Sequence, residues 1–240
     1  SLGLTQTLLD GARTLGRATT TEQVAAAVAD LVCEVGDVDL VVVVNDDPEV
    51  GRLRVEARRG LSDDVDDAEF TDRDSPLAAA GCDVLDTGIP EFVSTSSAWI
   101  RRFGDVGLPS LPGGPWAAVA LLPLRVGEVS LGFIAAGSTR PRGWNDRARD
   151  VLYAVAAQSA PAMSRARLYD RERRTALVLE RDLLPAELPS RPDIVLAALM
   201  RPGAPQTRVG GDWYDVLEID DRRMVIVIGD VMGKGIHAAA

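Results

Sequence analysis

The sequence predicts an α+β fold in two parts: an antiparallel sheet with helices packed on one side, then a helical linker and the opening of a further domain. Three observations carry this. The elements read helix, helix, strand, strand, irregular loop, strand, strand, long helix. Three prolines, Pro185, Pro189 and Pro192, then break the chain. A strand and a tight hairpin follow them. The expected limits are 1–167 for the first domain, 168–192 for the linker and 193–240 for the start of the second.

Leu2–Arg17 reads as a short amphipathic helix, with Leu4, Leu8 and Leu15 toward one side. Thr19-Thr20-Thr21-Glu22 supplies a cap, and Val24, Val28, Leu31, Val32 and Val35 form the stripe of a second helix. Asp39-Leu40-Val41-Val42-Val43-Val44 has the unbroken apolar character of a buried strand, which the turn residues Asn45-Asp46-Asp47-Pro48 end. Residues 52–57 alternate, as a partner strand with one wet face does. Residues 60–74 are acidic and read as loop with a weak helical patch. Residues 75–81 form a short helix with Pro76 in its first turn and Gly81 as its stop. Turn residues dominate 84–116. Residues 117–123 and 128–136 flank Arg125-Val126-Gly127 as a second hairpin. Asn145-Asp146 caps a long helix that Pro161 is expected to kink or interrupt. Residues 164–184 are charged with imperfectly spaced apolar positions, a helical linker able to pair weakly with a second copy. Residues 193–200 read as a strand.

Composition excludes several classes. The chain is 46% hydrophobic and 26% charged over 240 residues, as globular proteins are. A net charge of −10 argues against nucleic acid or an anionic membrane as partner. No apolar run reaches the length of a membrane span, and no secretory signal opens the chain. Cys33 and Cys82 stand far apart, with neither disulfide nor zinc spacing, so a cytoplasmic setting is expected. From the start at Ser1-Leu2 without Met, a piece cut from something longer is expected.

The densest chemistry lies in 208–240. Residues 213–219 and 224–228 are strands joined across Asp220-Asp221-Arg222. A hairpin centred on Asp221 sets Asp212 opposite Asp230, just beyond the strand ends. Opposed residues in such a pair have Cα atoms about 4.5 to 5.5 Å apart. Two carboxylates that close stay ionised together only with a cation between them. Gly210, Gly211 and Gly229 let backbone approach an ion, and Gly233 and Gly235 give a turn into a helix near Ile236. The pattern reads as a metal site. An ordinary hairpin with solvated aspartates is the plainer account of any one of these motifs alone. The Gly-Gly-Asp of a diguanylate cyclase lacks its Glu-Phe here, and a P-loop reading of 229–235 is one residue short.

V-G-G-D-W-Y-D followed by I-G-D-V-M-G-K-G-x-x-A-A resembles the start of the metal-dependent PPM protein phosphatases, in their SpoIIE/RsbU branch. The resemblance implies an α/β sandwich and a pair of Mn2+ or Mg2+ ions held by Asp212, Asp230 and the carbonyl of Val231. It further implies direct attack of metal-bound water on a phosphoserine or phosphothreonine. Lys234 stands where relatives often carry His, and the family's further metal aspartates fall beyond Ala240, so the 240-residue chain is expected to be incomplete and inactive. Residues 4–167 resemble a GAF domain, most clearly in W-A-A-V-A-L-L-P-L-R-V-G-E-V-S-L-G-F-I-A-A-G. Such domains bind small ligands or chromophores, or dimerise. No ligand is named by the residues; Cys82 has no neighbouring His to support bilin attachment, and His237 reads as a helix surface residue. Trp99, Phe103 and Trp116 read as pocket lining or, more simply, as core.

The expectation is a GAF sensor joined by a helical linker to a PPM-type serine/threonine phosphatase. Its implied substrate is a phosphorylated anti-sigma-factor antagonist, and a homodimer through the GAF domain and linker helix is expected. The alternative is a non-catalytic GAF sensor or dimerisation module.

Overall fold

The computed structural model describes residues 2–47, 51–61, 65–103, 110–111, 114–182, 188–189, 194–199, 212–220 and 223–230. The chain divides into two compact units, Ser1–Leu168 and Tyr169–Ala240.

The first unit opens with α1 (Leu2–Arg17) and α2 (Thr21–Gly36). Thr20 caps α2, its hydroxyl accepting the Gln23 amide at 3.3 Å. β1 (Leu40–Asp47) and β2 (Arg52–Arg59) form a hairpin. After α3 (Ala68–Thr71), α4 (Pro76–Thr87), β3 (Glu91–Val93), α5 (Ser96–Phe103), β4 (Ser110–Leu111) and β5 (Gly114–Pro115) comes a second hairpin of β6 (Ala118–Val126) and β7 (Val129–Ser138). The long α6 (Asp146–Asp182) follows, its start capped by Asn145 Oδ1, which accepts the Ala148 amide at 2.9 Å. The five-stranded sheet has the order β2-β1-β7-β6-β3, antiparallel throughout, and β4 with β5 makes a separate ribbon.

Helices cover both faces of this sheet, not one. Val41 and Val43 point into a core shared with Leu15 of α1, Val28 of α2 and Leu152 and Met163 of α6. Leu40, Val42 and Val44 point into the other, with Phe70 of α3, Leu77 of α4 and Trp99 of α5. An unbroken apolar strand has no wet face, so both sides need a layer of helix over them. The second layer was legible only in part: residues 75–81 read as a helix, whereas α5 lies within a stretch crowded with turn residues.

Three other expectations change. β1 runs on through Asn45 and Asp46, which pair with Arg54 and Leu53 instead of turning. Gly81 does not stop α4; the helix continues to Thr87 and ends at Gly88, which adopts the left-handed conformation at φ 68°. Gly81 is a contact position, where a Cβ would stand 2.3 Å from the Phe133 ring. Pro161 does not interrupt α6, because the bond it cannot donate belongs to Ala157, and both residues are exposed to water.

In the second unit β8 (Asp212–Asp220) and β9 (Arg223–Asp230) form an antiparallel hairpin. The strand expected over 193–200 is absent from its described part: Ile194 makes an isolated bridge and 195–199 have no regular structure. Val195 is 98% exposed and Leu199 81%, so the apolar run there joins no ladder among the described residues. Among the described residues no helix is long and apolar enough to cross a membrane.

Candidate functional site

The hairpin adopts the register that sets Asp212 opposite Asp230, with Trp213 opposite Gly229 and Tyr214 opposite Ile228. At its closed end Arg223 Nη2 meets Asp220 Oδ2 at 2.6 Å, and the pairing shifts by one between Glu218 and Asp220. The backbone therefore brings the two acids to adjacent positions at the open end. Val231, Lys234 and His237 lie outside the described residues, as do Gly210, Gly211, Gly233 and Gly235. At Gly229 a Cβ would stand 2.4 Å from Trp213 Nε1, so the room the glycine leaves is filled by the indole of its cross-strand partner. Among the described residues there is no group of three or more metal-capable side chains.

In the first unit the aromatic candidates are core. Trp99 and Trp116 are fully buried, with Phe103 at 4.5 Å from Trp99 between ring centroids and Phe70 at 6.4 Å from Trp116. Both cysteines are free and half-buried. Burial raises the Cys33 thiol above its ordinary value, helped by Asp30, and burial likewise raises Cys82, against which Arg73 acts. Inert structural thiols have this character.

A polar cluster at the end of β1 escaped the sequence reading, which took Asn45 and Asp46 for a turn. Asn45 is buried; its Nδ2 donates to Glu56 Oε1 at 3.0 Å, and its Oδ1 accepts from Arg167 Nε of α6 at 2.7 Å. Burial lowers the Arg167 guanidinium below its ordinary value, while Asp46, Asp47 and Glu56 oppose that. No periodicity marks such a cluster, since its members come from three separate elements.

The GAF domain family model matches residues 18–164, more than half of the chain. The chain belongs to the GAF domain family. Similar solved structures share the fold of this GAF domain. One is the GAF domain of a phosphoenolpyruvate-protein phosphotransferase from Acinetobacter, 14% identical with a TM-score of 0.56, covering 70% of this chain and 96% of that one. Another is the corresponding domain from Coxiella burnetii, 15% identical with a TM-score of 0.55, covering 71% and 98%. A third is residues 122 to 287 of a methyl-accepting chemotaxis protein, 16% identical with a TM-score of 0.53, covering 68% and 99%. The family match ends at residue 164, so it includes the core half of α6 and does not reach the β8–β9 hairpin.

Proposed function

We propose that the GAF domain is the sensor of a signalling protein phosphatase whose catalytic part begins with β8 and β9. The observation that carries this reading is the hairpin register, Asp212 opposite Asp230. Acids so placed repel each other unless a cation lies between them, so Mn2+ or Mg2+ is the matching chemistry. A pair of such ions supplies, when bound, a hydroxide able to attack the phosphorus of a phosphoserine or phosphothreonine. Asp212 and Asp230 would hold them together with the Val231 carbonyl. The proposed substrate is a phosphorylated anti-sigma-factor antagonist, the proposed setting the cytoplasm, and the proposed assembly a homodimer through the GAF domain and α6. On the sensing side, Trp116 Nε1 is buried on the α3–α5 face without an acceptor among the described residues, the kind of donor that a small ligand satisfies.

The test is Mn2+-dependent phosphate release from a phosphoserine protein by the full natural protein, with Asp212→Asn and Asp230→Asn as controls. Release that disappears in both controls supports the phosphatase. A second reading, a non-catalytic GAF sensor or dimerisation module, is favoured by the extent of the family match, and it gains if neither Mn2+ binding nor phosphate release is found.

A further inference from the structure

Two bulges in the sheet place their extra residues at one spot. Between β1 and β2 the register steps from Val43 opposite Ala57 to Val44 opposite Val55, which leaves Glu56 over. Between β6 and β7 it steps from Leu124 opposite Gly132 to Arg125 opposite Ser130, which leaves Leu131 over. A bulge frees backbone groups and re-aims a side chain. Here the Glu56 side chain is turned inward, only 4% exposed, and accepts from Asn45 and from Arg54 Nη2 at 2.6 Å. The freed carbonyl of Leu131 accepts from Arg167. Gly132, at φ 146°, lets β7 run close enough to β1 for this, since a Cβ there would stand 2.0 Å from the Val44 carbonyl oxygen.

Arg167 arrives from α6, one turn beyond Met163. Its Nε and Nη2 both donate to Asn45 Oδ1, and Nη2 also to the Asp46 carbonyl. The Asp46 side chain accepts from Arg73 Nη2 at 3.3 Å, and Arg73 Nη1 reaches Cys82 Sγ of α4 at 3.5 Å. A series of contacts therefore runs from α4, around the end of β1, to α6, although these helices cover opposite faces of the sheet.

We propose that Arg167 is a positioning latch that couples the α4 face of the GAF domain to α6, because its seat includes Asp46, the β1 residue that Arg73 grips. The latch works through geometry. A guanidinium held by a side-chain amide and two carbonyls keeps its contacts only while those acceptors stay in place. A shift of Arg73 with α4 moves Asp46, and Arg167 follows or lets go. The two-state element is the stretch 164–168 of α6, within the first unit, docked on or released from the sheet. This proposal concerns the GAF domain alone and stands whether or not the hairpin binds metal.

Hydrogen exchange by mass spectrometry on the whole chain tests it. Arg167→Met should speed exchange about tenfold in α6 peptides covering 164–168 while β6 peptides keep their protection. Arg73→Met should speed the same α6 peptides by about threefold and add nothing once Arg167 is replaced. Arg167→Lys keeps the charge without the planar fork and is the variant to use if Arg167→Met does not fold. An Arg73→Met chain with unchanged α6 exchange overturns the coupling. So do independent, multiplying effects in the double variant, or a uniform rise across α6 and β6.

Discussion

Thr139 closes on Asp39 twice, donating from its amide at 3.0 Å and from its hydroxyl at 3.1 Å to the same carboxylate oxygen, Oδ2. Ser138 adds a third bond at 3.1 Å, so the end of β7 is fastened to the entry of β1. The Thr139 amide first, then the two hydroxyls, hold the Asp39 carboxyl below its ordinary value of 3.8. A depressed carboxylate contributes stability above its unfolded value and loses it as pH falls through the lower folded one. Asp39→Asn should therefore lower Tm at neutral pH, by a small amount because Asp39 is exposed, and the gap from wild type should close below pH 3.8. A Tm difference that stays constant from about pH 6 to about pH 2.5 would show that these bonds do not favour the ionised form.

Gly81 and Phe133 share one packing site. Gly81→Ala should destabilise the GAF domain by about 1 to 3 kcal/mol in urea unfolding, through overpacking against the ring. Phe133→Leu in the same chain should recover part of that loss, giving a coupling energy of about 1 kcal/mol. Strict additivity would mean that α4 does not press on β7 at this point.

Thr20→Ala should cost about 1 kcal/mol by removing the acceptor for the Gln23 amide, with Thr20→Asn close to wild type. Thermal unfolding of the two variants side by side checks this. Equal losses in both would exclude capping as the cause.

Both thiols should react slowly with iodoacetamide at about pH 7.5, several-fold below free cysteine, because burial raises them. Arg73 favours the Cys82 thiolate, so Arg73→Met should slow Cys82 further and leave Cys33 unchanged. Faster labelling of Cys82 in that variant would mean that Arg73 shields the sulfur more than it activates it.

Trp213 is 38% exposed, whereas Trp99, Trp116 and Trp144 are buried. If ions bind between Asp212 and Asp230, Mn2+ should quench its emission in a saturable manner, and Asp230→Asn should abolish the saturable part. Quenching that stays linear in Mn2+ would leave the facing acids without an ion.

What could be read from residues alone followed local rules. The valine run of β1, the Thr20 cap and the two local hairpins each state their structure within a short window of chain. The register of β8 and β9 was legible too, because turn residues and two matched strands fix it. The misses share a cause. Gly81 looks like a stop until Phe133 occupies the space above it, and Asn45-Asp46 look like a turn until Arg167 and a bulge recruit them. Each depends on a partner far along the chain, which no periodicity reports.

The central pairing of the sheet also governs how the domain assembles. Leu40 pairs with Gly137, about a hundred residues later, whereas β1–β2 and β6–β7 close over short turns. The two hairpins should therefore form early and join late, at the seam between β1 and β7. Pulse-labelled amides of the β6–β7 ladder should gain protection before those between β1 and β7, and the reverse order would refute this. Until the seam closes, Val41-Val42-Val43-Val44 is an open β-branched edge, the kind on which strands of separate molecules pair. Variants that slow closure, Gly132→Ala among them, should aggregate during refolding well before they lose native stability.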